Sequence, residues 1–121
     1  MLFRSVAPGS EKGAQGSDQK VRRGFSPAKG HHSVYVVYLR SPKGDGKAGY
    51  YVGMTGLSPE RRFENHKRGI KSAGVVRRYG ERLVPHLYAH LNPMPYARAK
   101  EMEVWLAESL RKRGYLVYGG H

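Results

Sequence analysis

The apolar positions of this chain fall into a few separated blocks. From Val34 to Leu39 the run "VYVVYL" is β-branched, aromatic or leucine throughout, the pattern of a strand buried on both faces. "SPKGDGKAG" follows, a loop by its glycine, proline and aspartate content, and then "YYVGM", a second short strand. Two strands joined only by a loop predict an antiparallel hairpin. In "SPERRFENHKRG" the spacing becomes helical. Ser58 suits the N-cap, Pro59 the first helical position, Glu60 the positive end of the helix dipole and Gly69 the stop. Residues 72–80 predict a short helix. "RLVPHLYAHL" reads as a third strand interrupted by Pro85, which places it at an edge or a bulge. "NPMP" is a turn. "YARAKEMEVWLAESLRKRG" is the strongest helix, with Ala99, Met102, Leu106 and Leu110 as its apolar stripe and cations before Gly114 as its stop. "YLVYGGH" is open to either a loop or one more short strand beyond the three of the sheet. The expected class is α/β: a small, mainly antiparallel three-stranded sheet flanked by helices.

Residues 1–30 lack such a pattern. They are rich in Gly, Ser, Lys and Arg and cannot bury enough surface to offset the entropy of ordering them. The expected division is a flexible basic N-terminal tail over 1–30 and one folded domain over 31–121. No apolar segment follows the early charges, so a secretory signal is not expected.

Charge narrows the function. The chain carries 22 Lys+Arg against 9 Asp+Glu, a formal net charge of +13. Six of those cations and two of those acids lie in residues 1–30, so the folded part is itself strongly basic. Such a surface favours a polyanion, because each neutralised phosphate releases condensed counterions. No long amphipathic basic helix of the membrane-surface kind is present, and no apolar run reaches the length of a membrane span. The chain has no cysteine, which excludes disulfides and thiolate metal sites. A cytoplasmic setting is expected, at the nucleoid or in a nucleus. His31 and His32 are adjacent, a pattern more often solvated than metal-binding.

The acids are scarce, and none forms a paired-carboxylate motif. A hydrolase of phosphodiesters built from this chain would hold one metal ion on one carboxylate, with other residue types moving protons. Tyrosine is abundant, at nine. Arg62 and His66 are four apart and project from one helix face, beside Phe63 and Ile70 as core-facing candidates. Arginine offers a planar fork to phosphate and histidine a tunable proton; the plainer reading is a solvated helix face. Glu103 borders the apolar stripe of the long helix, between Ala99, Leu106 and Ala107, while Glu101 and Glu108 face outward. A carboxylate there is costly unless paired or coordinating a metal, and the plainer reading pairs it with Arg111.

Taken in order, "VYVVYL", "YYVGMTG", "RRFENH" and "AKEMEVWLAESL" resemble the GIY-YIG endonuclease family over about residues 33–118. Ser33-Val34-Tyr35 stands at the Gly-Ile-Tyr triplet and Tyr51-Val52-Gly53 at Tyr-Ile-Gly. Arg62 is preferred to Arg61 for its spacing to His66, and Glu103 to Glu101 for its apolar neighbours. Tyr38 and Thr55 are candidate supporting groups, and Tyr50 belongs to packing on the opposite face. No asparagine follows the last helix, where the family often has one.

The resemblance implies a metal-dependent endonuclease acting on DNA, with Mg²⁺ or Mn²⁺ on Glu103. It implies catalytic roles for Tyr35, Tyr51, Arg62, His66 and Glu103. Tyr35 would take or relay the proton of the attacking water, with Arg62, His66 and the metal as the cations that lower its pKa. Gly53 would let the backbone approach the substrate. Nucleic acid is the expected partner, and specificity would come from a protein partner, a homo-oligomer or the shape of the substrate. The alternative is a non-catalytic basic module that binds DNA or RNA.

Overall fold

The structure is a computed structural model and describes residues 30–120. The expected tail therefore lies outside the described residues, apart from Gly30.

The uninterrupted apolar run becomes β1 (Ser33–Leu39), an inner strand. Val34, Tyr35, Val36, Val37 and Leu39 are all buried, so both faces of β1 are covered. β2 (Gly49–Thr55) pairs with it antiparallel along its whole length, setting Tyr35 opposite Gly53 and Val37 opposite Tyr51. The helix α1 (Pro59–Lys67) begins as its sequence predicts, with Ser58 Oγ accepting the Arg61 N–H at 3.1 Å. Gly69 follows it with φ +82, the left-handed conformation that glycine adopts without a Cβ penalty. A short helix α2 (Gly74–Tyr79) leads directly into β3 (Gly80–Leu83).

The third strand is an edge strand, as expected, but it forms earlier than "RLVPHLYAHL" suggests. It takes in Gly80 and Glu81 and ends before Pro85. The chain then makes two single 3-10 turns, Pro85–Leu87 and Ala89–Leu91. Proline brings no N–H to a ladder, and its ring suits the first position of such a turn. Beyond β3, side-chain and backbone groups continue along the edge of β1. Asn92 Oδ1 accepts the Val34 N–H at 2.9 Å, and Asn92 Nδ2 donates to the Val34 carbonyl at 2.8 Å. His32 and Met94 exchange backbone hydrogen bonds at 2.9 and 2.8 Å.

The long helix α3 (Tyr96–Lys112) buries Ala99, Leu106, Ala107 and Leu110, with Met102 half-buried on the stripe. After it comes β4 (Leu116–Gly119), which pairs parallel with β2. The sheet is therefore four-stranded rather than three-stranded, in the order β3-β1-β2-β4, and mixed, with two antiparallel pairings and one parallel. The segments between β2 and β4 carry the chain back to the same end of the sheet, and such a return makes the pairing parallel. The α/β class stands. α1 and α2 pack over β1 and β3, while α3 packs over β2, β4 and β1. Each fully buried valine or leucine between these layers contributes about 1.5–3 kcal/mol of transfer free energy. Phe63 is half-buried against this core, but Ile70, expected beside it, is 44% exposed.

Candidate functional site

Strand alternation sorts the tyrosines before any helix arrives. Tyr35 and Tyr51 lie on one face of the β1–β2 pair, and Tyr38 and Tyr50 on the other. α1 then brings His66 onto the first face. The three rings cluster: Tyr35 and Tyr51 have centroids 6.3 Å apart, Tyr35 and His66 6.0 Å, and Tyr51 and His66 5.7 Å in an edge-on contact.

His66 is fully buried, and both of its ring nitrogens are engaged. Nδ1 accepts the backbone N–H of Ala73 at 3.0 Å. In the neutral ring the proton must therefore sit on Nε2. Nε2 lies 2.8 Å from the Tyr35 hydroxyl oxygen, so histidine donates and tyrosine accepts. The hydroxyl hydrogen of Tyr35 is left to point elsewhere. Burial, with the nearby Arg62 charge, lowers the His66 pKa to about 4. His66 is thus a neutral donor at ordinary pH. It is not one of the cations expected to lower the tyrosine pKa, because the low-polarity surroundings disfavour its charged form.

The phenols move the other way. Burial raises the Tyr35 pKa above its usual value, with Tyr51 adding to the effect and Arg62 opposing it. Burial also raises Tyr51, followed by the charge of Glu103, and again Arg62 opposes. These influences place Arg62 and Glu103 within electrostatic reach of both rings.

Arg62 is half-buried, and its fork is partly committed to the backbone. It donates to the Ile70 carbonyl at 3.3 Å and to the Lys71 carbonyl at 2.8 Å. Those bonds pin the loop that delivers the Ala73 N–H to His66. Glu103 is 8% exposed on α3, whereas Glu101 and Glu108 are exposed. The fold thus gathers Tyr35, Tyr51, Arg62, His66 and Glu103 from β1, β2, α1 and α3.

Gly53 sits against Tyr35 across the β1–β2 pair. A Cβ built on it would lie 2.6 Å from the Tyr35 hydroxyl oxygen and 2.7 Å from the ring carbon that bears it. The missing side chain makes room for the Tyr35 ring. Tyr38 faces away from the site, against Tyr50 and beneath Arg82. Thr55 Oγ1 accepts the Leu57 N–H at 3.0 Å and shapes the turn into α1. His32 packs edge-on against Tyr96 at 5.1 Å.

Three residues with a part in the site escaped the sequence pattern. Ala73 acts through its backbone N–H, which no side-chain pattern can report. Asn92 grips Val34, next to Tyr35, from 58 residues away. Lys67 Nζ donates to the Arg77 and Gly80 carbonyls at 2.9 and 2.8 Å, closing the end of α2. Only the "NP" pair at Asn92 carried a local signal, and it reported a turn.

Among the described residues no three His, Asp or Glu side chains converge as a metal cage. His66 has no free ring nitrogen to offer a metal. The carboxylate of Glu103, within electrostatic reach of the tyrosines, is an oxygen ligand. It suits a hard cation that keeps several of its waters. No family model, curated protein or solved structure matches the chain.

Proposed function

We propose that this chain is a metal-dependent endonuclease of the GIY-YIG type that hydrolyses phosphodiester bonds of DNA. The observation that carries the reading is the convergence of Tyr35, Tyr51 and His66 within about 6 Å of one another, with Arg62 and the buried Glu103 acting on both phenols. The chain's net charge of +13 supports a polyanionic substrate.

Glu103 would hold Mg²⁺ or Mn²⁺. Such an ion, when bound, would stabilise charge on the scissile phosphate and on the leaving oxygen. Tyr35, once ionised, takes a proton from the attacking water as the oxygen–phosphorus bond forms and the phosphorus–O3′ bond breaks. The leaving oxygen is protonated from solvent. His66 holds the Tyr35 oxygen through its Nε2–H in both protonation states of the phenol, and so orients it throughout. Arg62 lowers the pKa of both phenols and turns its remaining donors to the phosphate. Tyr51 fixes the position of water or phosphate. Gly53 keeps the Tyr35 ring in place.

The alternative is a non-catalytic module that binds DNA or RNA. One observation favours it: burial leaves both phenols harder to ionise than a free tyrosine. A single assay divides the two readings. Plasmid, single-stranded and branched DNA are incubated with the protein in Mg²⁺, Mn²⁺ or EDTA, alongside Glu103→Ala. Metal-dependent cutting that disappears in Glu103→Ala is the expected result. Cutting that persists in Glu103→Ala would defeat the metal assignment, and no cutting of any substrate by the wild type would leave the binding module.

A further inference from the structure

The opposite face of the sheet carries a second feature, which the reaction does not use. Arg82, Tyr38, Tyr50 and Tyr115 form one row across the sheet. Tyr38 is paired with Arg82 on one side and with Tyr50 on the other. The Arg82 guanidinium lies 4.2 Å from the Tyr38 ring centroid. Tyr38 and Tyr50 meet edge-on at 6.2 Å, and Tyr50 and Tyr115 edge-on at 5.2 Å. Tyr115 is the residue just before β4, so each of the four strands supplies one member of the row or is directly adjacent to one.

The row is open to solvent at its two ends. Tyr115 is 48% exposed, the Arg82 side chain is exposed, and Tyr38 and Tyr50 are half-buried. The neighbourhood is cationic. Arg40, Lys43 and Lys47 lie in or beside the β1–β2 connection, and Arg113 lies two residues before Tyr115. Among the described residues, Glu81, which touches Arg40 and Arg82, and Asp45 of the same connection oppose them. Aromatic faces flanked by cations are what an unpaired strand requires: bases stack on rings while phosphates meet the charges. A duplex keeps its bases stacked internally and cannot use the rings.

We propose that this row is a binding platform for single-stranded nucleic acid, separate from the site around Tyr35. The proposal rests on the chain binding nucleic acid, but not on its cutting it.

The test is fluorescence anisotropy of the full chain with labelled oligo(dT), oligo(U) and a blunt DNA duplex, in EDTA so that cleavage plays no part. Tyr115→Ala and Arg82→Ala alter exposed side chains and should leave the fold intact. Tyr115→Ala is expected to weaken oligo(dT) binding about tenfold. Tyr115→Phe, which keeps the ring, should bind like the wild type. Trp105→Ala, an exposed aromatic on α3, should also bind like the wild type. Duplex binding should change by less than about twofold in Tyr115→Ala. The oligo(U) arm shows whether the platform prefers one sugar; weakening in either single-stranded arm without a matching loss on the duplex supports the platform. Unchanged single-strand affinity in Tyr115→Ala, or equal losses on single strand and duplex, overturns it. A wild type that binds no nucleic acid overturns both this proposal and the nuclease reading, whereas binding without cutting overturns only the latter.

Discussion

The Tyr35 hydroxyl oxygen accepts its hydrogen bond from His66 Nε2 because His66 Nδ1 is already occupied by the Ala73 N–H. A backbone amide thus fixes the tautomer, and the tautomer fixes the direction of the buried bond. The arrangement makes His66 an orienting donor, not a base for Tyr35.

Stability should therefore fall in mild acid. The His66 pKa is about 4 in the folded chain against an ordinary value of 6.5. Between those values the unfolded chain binds the extra proton, so the contribution is complete above about pH 6.5 and is lost as pH falls toward 4. The slope reaches on the order of 1.4 kcal/mol per pH unit. Urea unfolding across that range should show it, and His66→Gln should be less stable at neutral pH but with a flatter profile. A wild-type midpoint that does not move between pH 7 and pH 4.5 would contradict the buried neutral ring.

If Tyr35 is the base, cleavage should accelerate into the alkaline range. Burial raises its pKa, so the ionised fraction at neutral pH is small and grows with pH. The rate in Mg²⁺ should climb by up to about tenfold per pH unit above neutrality. Tyr35→Phe should lose at least about 100-fold, in line with the usual worth of a general base. A flat profile from pH 7 to 9 in the wild type would remove Tyr35 from that role.

Gly53→Ala should damage both fold and activity, since its Cβ would overlap the Tyr35 ring. Overpacking of this kind costs about 1–3 kcal/mol. Gly56→Ala is the control, because its nearest neighbour there is His32 Nε2 at 3.5 Å. Thermal melts should separate the two variants. Equal melting temperatures would mean that the ring yields freely.

Asn92→Ala should destabilise the chain by about 1–3 kcal/mol, because it leaves the N–H and the carbonyl of Val34 without their partners. Asn92→Asp keeps only the acceptor and should fall between. Activity should drop with stability, since Val34 adjoins Tyr35. Chemical denaturation and the cleavage assay together would check this, and an unaltered Asn92→Ala would show that water replaces the amide.

Tyr88→Phe should be neutral or stabilising. The Tyr88 hydroxyl is buried without a hydrogen-bond partner, and burial pushes its pKa up to about 12. Removing an unpaired buried hydroxyl relieves a cost of about 1–3 kcal/mol. The melting temperature should hold or rise by a few degrees. A clear fall would mean that the hydroxyl has a partner in solution.

Local pattern determined a good deal here. β-branched density made β1, the Ser58-Pro59 pair started α1, the four-residue spacing put Arg62 and His66 on one face, and alternation separated Tyr51 from Tyr50. All of these are short-range effects of backbone sterics and side-chain period, which a sequence carries within a few residues. The same reading put Glu103 at the margin of its helix stripe, where it is buried. Only the tertiary structure decided the rest. The parallel placement of β4, the Asn92 clasp on Val34, the Ala73 amide on His66 and the filling of the Gly53 gap by Tyr35 all join residues far apart in the chain or act through backbone groups. The direction of the pKa shifts belongs with them. The resemblance implied cations that would activate the tyrosines, but burial is a property of the packed layers, and here it outweighs the charge of Arg62.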